Sequence, residues 1–132
     1  MDSMFWASSV SLLTVLLMIW ISWRVGKARV ACGVKAPATT GDPHFERHYR
    51  VQMNTLENAV PMLVALWIAA LYGAAWAVAV GGLVWLVGRV LYALAYVKDP
   101  STRGAGFNIS AAGFVILFIA AAICLARVAL GI

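Results

Sequence analysis

From Met4 to Trp23 the chain runs for twenty residues without a charge. A helix needs about that length to cross a bilayer core of about 30 Å. A second uncharged run, Ala59 to Gly88, is thirty residues long. As one helix it would measure about 45 Å, too long for a single comfortable span. It must turn, and Tyr72-Gly73-Ala74-Ala75-Trp76 is the place. Glycine weakens a helix there, and Tyr and Trp favour the membrane interface. A last apolar block follows Arg103. The pattern predicts four helices, roughly over residues 3–31, 43–72, 76–97 and 106–130. The expected fold is therefore all-α, a four-transmembrane-helix bundle in one domain, residues 1–132.

The start of the second helix can be read residue by residue. In TTGDPHFER, Asp42 is a good N-cap and Pro43 suits the first helical position. The third helix should stop shortly before KDPSTRG, where Pro100 and Gly104 interrupt the pattern.

Composition agrees: 64% of residues are hydrophobic and only 11% charged, with a mean hydropathy of +0.90. A cleaved leader is not expected at the first block. Its apolar part is too long, no basic region precedes it, and no A-x-A-like site follows. A net charge of +5 would suggest nucleic acid in a soluble protein. Here it reports topology. Arg24, Lys27, Arg29, Lys35, Arg47 and Arg50 lie between spans one and two, and Lys98 and Arg103 between spans three and four. The positive-inside rule places both connections on the cytoplasmic side. Trp6, Trp20, Trp23, Trp67 and Trp76 fall near span ends as an aromatic belt, whereas Trp85 does not. Cys32 and Cys124 form neither a disulfide framework nor a metal site. His44 and His48 stand four apart but lack a third ligand, so no metal is expected.

The second span carries polar residues into the bilayer. Arg50, Asn54 and Glu57 share one helix face by their spacing. Arg89, Tyr92 and Tyr96 share a face of the third helix, and Arg103 follows on the same side of the membrane. Charges at that depth are costly, so they should face protein or a wet cavity and pair with one another. Glu57 is the one acid expected inside a span, which predicts a Glu57–Arg89 contact. Arg24, Lys27, Lys35, Arg47 and Lys98 read as anchors that reach lipid phosphates. Spacing leaves two readings of the Arg50–Asn54–Glu57 face open: a ligand site, or polar glue between helices.

Two stretches, FERHYRVQMNTLEN at 45–58 and GRVLYALAYVKDPSTRG at 88–104, with TTGDP upstream, resemble the MAPEG superfamily of membrane proteins in eicosanoid and glutathione metabolism. The resemblance covers nearly the whole chain. Its wording leans toward the type 3 microsomal glutathione transferase branch. It implies a left-handed or similar four-helix bundle, a homotrimer, and glutathione bound between subunits near the cytoplasmic side. By position, Arg50, Asn54 and Glu57 would hold the tripeptide's charged and polar ends, and Tyr92 and Tyr96 would contact it. Arg29 and Gln52 would reach in from the adjacent subunit. Arg103 would stabilise the thiolate.

Those residue types suit that ligand. Glutathione has two carboxylates, which arginine clamps bidentately, and an ammonium that Glu57 can pair. A free thiol has a pKa of about 8.5, so little thiolate exists at neutral pH. Lowering it by about two units takes about 2.7 kcal/mol of differential stabilisation. The thiolate would then attack a hydrophobic electrophile dissolved in the bilayer, or reduce a lipid hydroperoxide. The chain departs from the family pattern at two positions. Val30 stands where the leukotriene C4 synthase branch has a second arginine, assigned to opening the leukotriene epoxide, which argues against that activity. Asn58 replaces a tyrosine. The alanine- and valine-rich composition suits a bacterial inner membrane.

Two further functions fit a four-span chain. A non-catalytic lipid-binding or scaffold protein of the same fold would show no thiol turnover. A small multidrug transporter needs a coupling carboxylate, typically in the first span, and span one has none.

Overall fold

Asp2 starts the first helix by accepting the Phe5 N–H at 2.8 Å, and α1 spans Ser3–Cys32. It ends at Gly33, whose φ of +66° is the left-handed conformation that glycine takes without steric cost. The computed structural model describes residues 1–132. Helix α2 spans Pro43–Leu71, α3 Ala75–Lys98 and α4 Gly104–Ala129. All four are long and apolar enough to cross a membrane.

The predicted start of α2 is as read. Asp42 accepts from the N–H groups of His44 and Phe45 at 2.8 and 3.2 Å. Glu46 reaches back to the Gly41 N–H at 2.9 Å, so the helix end is satisfied from both sides. The predicted turn around Gly73 is also found, with φ +82° at that glycine. The connection from α3 to α4 holds something the pattern did not predict. Residues Pro100–Arg103 form a 3-10 turn, capped by Asp99, and α4 begins at once at Gly104, two residues earlier than expected.

Helix α3 packs most extensively on α4, and also against α1 and α2. Two glycines permit the closest approach. A Cβ on Gly88 would run into the backbone of Ser110, and one on Gly106 into the backbone of Tyr92. Without a hydrophobic force between helices in lipid, backbone contact of this kind supplies van der Waals packing. Trp85, which did not fit the aromatic belt, is a core residue, 1% exposed. Leu12, Val15, Leu16 and Ile19 on α1 and Phe118 and Ile119 on α4 point outward. Such an outward apolar surface suits a lipid solvent.

Candidate functional site

The α3–α4 contact fixes Arg89, which is 1% exposed. Its Nε and Nη2 both donate to Ser110 Oγ, at 3.0 and 2.7 Å. Its Nη1 donates to Asn54 Oδ1 on α2 at 2.8 Å. The guanidinium also lies 4.9 Å from the Tyr92 ring centroid. One side chain thus ties α2, α3 and α4 together at the depth of the polar face.

The expected Glu57–Arg89 contact does not form. Asn54 occupies that place. Glu57 sits three residues further along α2, about 60° around the helix from Asn54, and its side chain is half exposed. Its partner is Arg50, at the 4.0 Å limit of an ion pair, with both side chains about half exposed. Arg89 is therefore a buried cation held only by neutral acceptors and aromatic faces.

Guanidinium has no acceptor, so the Asn54 amide oxygen must face Arg89. The Asn54 NH2 is then the end left for any ligand. Arg50, Asn54 and Glu57 present a cation, an amide donor and a carboxylate in succession along α2. Asn58, one turn further, donates to the Asn54 carbonyl at 2.8 Å.

The tyrosines follow along α3. Tyr92 is buried and Tyr96 partly so, with ring centroids 5.5 Å apart. The Arg103 guanidinium lies 5.8 Å from the Tyr96 ring. The 3-10 turn carries Arg103 back toward the end of α3, so Arg103, Tyr96, Tyr92 and Arg89 form one chain of contacts. Arg103 itself is exposed.

The other two candidates lie apart from this group within one chain. Arg29 donates to the carbonyl of Ala38 at 2.7 Å, and its guanidinium covers the Phe45 ring at 4.5 Å. Gln52 Nε2 donates to Ser22 Oγ on α1 at 2.7 Å. Neither is hydrogen-bonded or ion-paired to Arg50, Asn54 or Glu57.

Sequence reasoning missed the roles of two residues. Ser110 is polar in an apolar span, and that alone could have marked it as a partner for Arg89. Arg47 reads as a lipid anchor but donates to the carbonyls of Val97 and Lys98 at 3.4 and 3.2 Å. A cation there complements the negative end of the α3 dipole and fixes the α2 entrance against the α3 exit.

Outside the membrane-spanning segments, two capping carboxylates are held below the usual carboxylate range. The Cys32 thiol beside Asp42 is the main cause there, followed by the Phe45 N–H. At Asp99 the causes are the Ser101 N–H and hydroxyl. In each case the hydrogen bonds favour the charged form.

A family model described as MAPEG family matches residues 7–123. The chain is 40% identical over 116 residues to leukotriene C4 synthase of Bos taurus, covering 88% of this chain and 77% of that protein. It is 34% identical over 120 residues to microsomal glutathione S-transferase 2 of Homo sapiens, covering 91% and 82%. An uncharacterized protein of Synechocystis is 40% identical over 116 residues, covering 88% and 85%.

Proposed function

The chain belongs to the MAPEG family, an integral multi-pass membrane protein, and from that premise we propose that it is a glutathione transferase acting on hydrophobic electrophiles. The observation that carries the reading is the Arg50–Asn54–Glu57 face. It offers a cation for a carboxylate, an amide donor locked outward by Arg89, and a carboxylate for an ammonium. Glutathione carries all three complements.

In this reading Arg50 and the Asn54 NH2 bind a carboxylate of the tripeptide, and Glu57 pairs its ammonium. Tyr92 and Tyr96 line the path to Arg103. The Arg103 guanidinium donates to the sulfur and favours thiolate over thiol, and the thiol proton leaves to water. The thiolate sulfur bonds to the electrophilic carbon, and the leaving group departs with its electron pair. The same thiolate reduces a lipid hydroperoxide when a second glutathione is supplied. The products are then the lipid alcohol, water and glutathione disulfide.

Arg29 and Gln52 belong, in this proposal, to the site of an adjacent copy, and the working unit is a homotrimer. The first and third connections face the cytoplasm, and the membrane is a bacterial inner membrane. Val30 removes the second arginine at the end of α1, which sets leukotriene epoxide opening aside. No metal takes part.

The test is conjugation by the purified protein in detergent with a chloronitrobenzene acceptor. Saturable, glutathione-dependent product formation supports the enzyme. Glutathione binding with no turnover would make the chain a binding protein of the same fold.

A further inference from the structure

Two cavities open along one face of α1, the first between α1 and α3 and the second between α1 and the start of α2. The first is an apolar groove of about 560 Å³. Leu13, Leu16 and Leu17 of α1 form one wall, and Leu83, Val87 and Leu91 of α3 the other. The second is a pocket of about 270 Å³ lined by Arg24, Lys27, His44 and His48, with Trp23 at its edge. On α1 the lining positions 13, 16, 17, 20, 23, 24 and 27 form one continuous helical stripe. The stripe is apolar up to Trp23 and cationic at Arg24 and Lys27. Trp20 closes the groove, and the Arg24 guanidinium in the pocket stacks 4.8 Å from its ring centroid.

Arg24 and Lys27 bring two positive charges to the pocket, and His44 and His48 add imidazole N–H donors. The ion pair of this chain is Arg50–Glu57, so Arg24, Lys27, His44 and His48 have no carboxylate within ion-pair distance. Asp42, next but one to His44, accepts the His44 and Phe45 N–H groups through one carboxylate oxygen. The pocket is also held in shape. Lys27 lies 4.5 Å above the Trp23 ring, the His44 and His48 rings meet edge-on at 4.8 Å, and His48 is buried. Two cations held over indole rings, with two imidazoles beside them, are arranged for an anion.

Depth identifies the anion. Trp20 and Trp23 mark the interface, where indole rings settle at the headgroup level. The apolar groove runs from there toward the bilayer centre, about 10 Å along α1 from Trp20 to Leu13. Cationic head and apolar tail together match an amphiphile with a phosphate. We propose that this composite cavity binds one anionic phospholipid, its phosphate between Arg24, Lys27, His44 and His48 and one acyl chain in the α1–α3 groove. Neither cavity is lined by Arg50, Asn54, Glu57, Tyr92, Tyr96 or Arg103, so the site is separate from the proposed thiol site and does not depend on that reading.

Native mass spectrometry of the delipidated full-length protein tests it, with phosphatidylglycerol, phosphatidylcholine of the same chains, and inorganic phosphate as probes. Phosphatidylglycerol should remain bound at one per chain, at least about tenfold more tightly than phosphatidylcholine. Inorganic phosphate should compete weakly, because it cannot fill the groove. The Lys27→Gln/His44→Gln double variant changes two exposed side chains and should fold; it should lose the preference for the anionic lipid. Leu83→Trp, which fills the groove, should lower retention of both lipids. Equal retention of the two lipids by the unaltered protein would overturn the proposal without any variant. So would an unchanged preference in the double variant, or inorganic phosphate displacing the lipid at equal concentration.

Discussion

Replacing Arg89 should separate stability from binding, and in an order that chemical conservatism would not suggest. Arg89 makes three donations, two to Ser110 and one to Asn54. Hydrogen bonds to a charged group contribute about 1.5–3 kcal/mol each. Arg89→Lys keeps a buried cation but replaces the planar fork with a single ammonium. It should lose about two of the three bonds, or about 3–6 kcal/mol. A buried lysine can limit its loss by shedding its proton, which from pKa 10.4 costs about 4.6 kcal/mol at neutral pH. The expected loss is then about 3–5 kcal/mol. Arg89→Met removes all three bonds but also the charge. Ser110 stays satisfied, since its hydroxyl donates to the Phe107 carbonyl at 2.8 Å. Only Asn54 Oδ1 is left without its partner, at about 1–3 kcal/mol. Against that stands relief from burying an unpaired cation, worth several kcal/mol. The methionine variant should therefore lie within about 2 kcal/mol of the unaltered protein. Its Asn54 amide is no longer locked, so glutathione should bind about tenfold more weakly. Reversible unfolding in mixed micelles, followed by tryptophan fluorescence, gives the stabilities, and calorimetry gives the affinity. If Arg89→Lys matched the unaltered protein while Arg89→Met lost several kcal/mol, the idea of an uncompensated buried cation would be wrong.

Arg50→Ala should weaken glutathione binding by about 2 kcal/mol, or roughly thirtyfold in Kd, through the loss of one charge-assisted contact; calorimetry in detergent measures it. Gly106→Ala should destabilise the bundle by at least about 1–3 kcal/mol, because the added methyl meets the backbone of Tyr92 rather than a side chain that can move. The unfolding midpoint in the same micelle assay checks this, and a change below about 0.5 kcal/mol would contradict the tight α3–α4 approach. Asp42 and Asp99 are both held below the usual value of 3.8 in the folded chain. Their contribution is fully present above that value and is lost as pH falls through the lower folded values. Stability should therefore drop on acidification from about pH 5 to about pH 3, with a shallower slope in Asp42→Asn, which keeps a capping oxygen that does not titrate.

The backbone plan was readable because membrane helices announce themselves by length and their ends by local chemistry. Asp42-Pro43 and Gly73 mark their boundaries within a few residues of sequence. The site was readable only in part. Arg50, Asn54 and Glu57 share a face by spacing alone, and the pairing of Arg50 with Glu57 stays within one helix. The partner of Arg89 depends on how α2 and α3 are rotated against each other, which no local pattern encodes. Charge complementarity pointed to Glu57, but the helix rotation brings Asn54 to Arg89 instead. Ser110 escaped for a related reason. Its role follows from Gly88 and Gly106, which let α4 approach α3 until a serine hydroxyl reaches a guanidinium. The 3-10 turn that brings Arg103 to Tyr96 is set by Asp99 capping a Pro-Ser pair, a signal too short for helical periodicity to register.

Arg103 is the group proposed to hold glutathione as its thiolate. Ultraviolet difference absorbance of the bound thiolate across pH measures that directly, in the unaltered protein and in Arg103→Ala. The bound thiol should titrate at least about one unit below the free value of about 8.5 in the unaltered protein, and close to that value in the variant, with glutathione still bound in both. The same titration midpoint in both proteins would contradict the assignment.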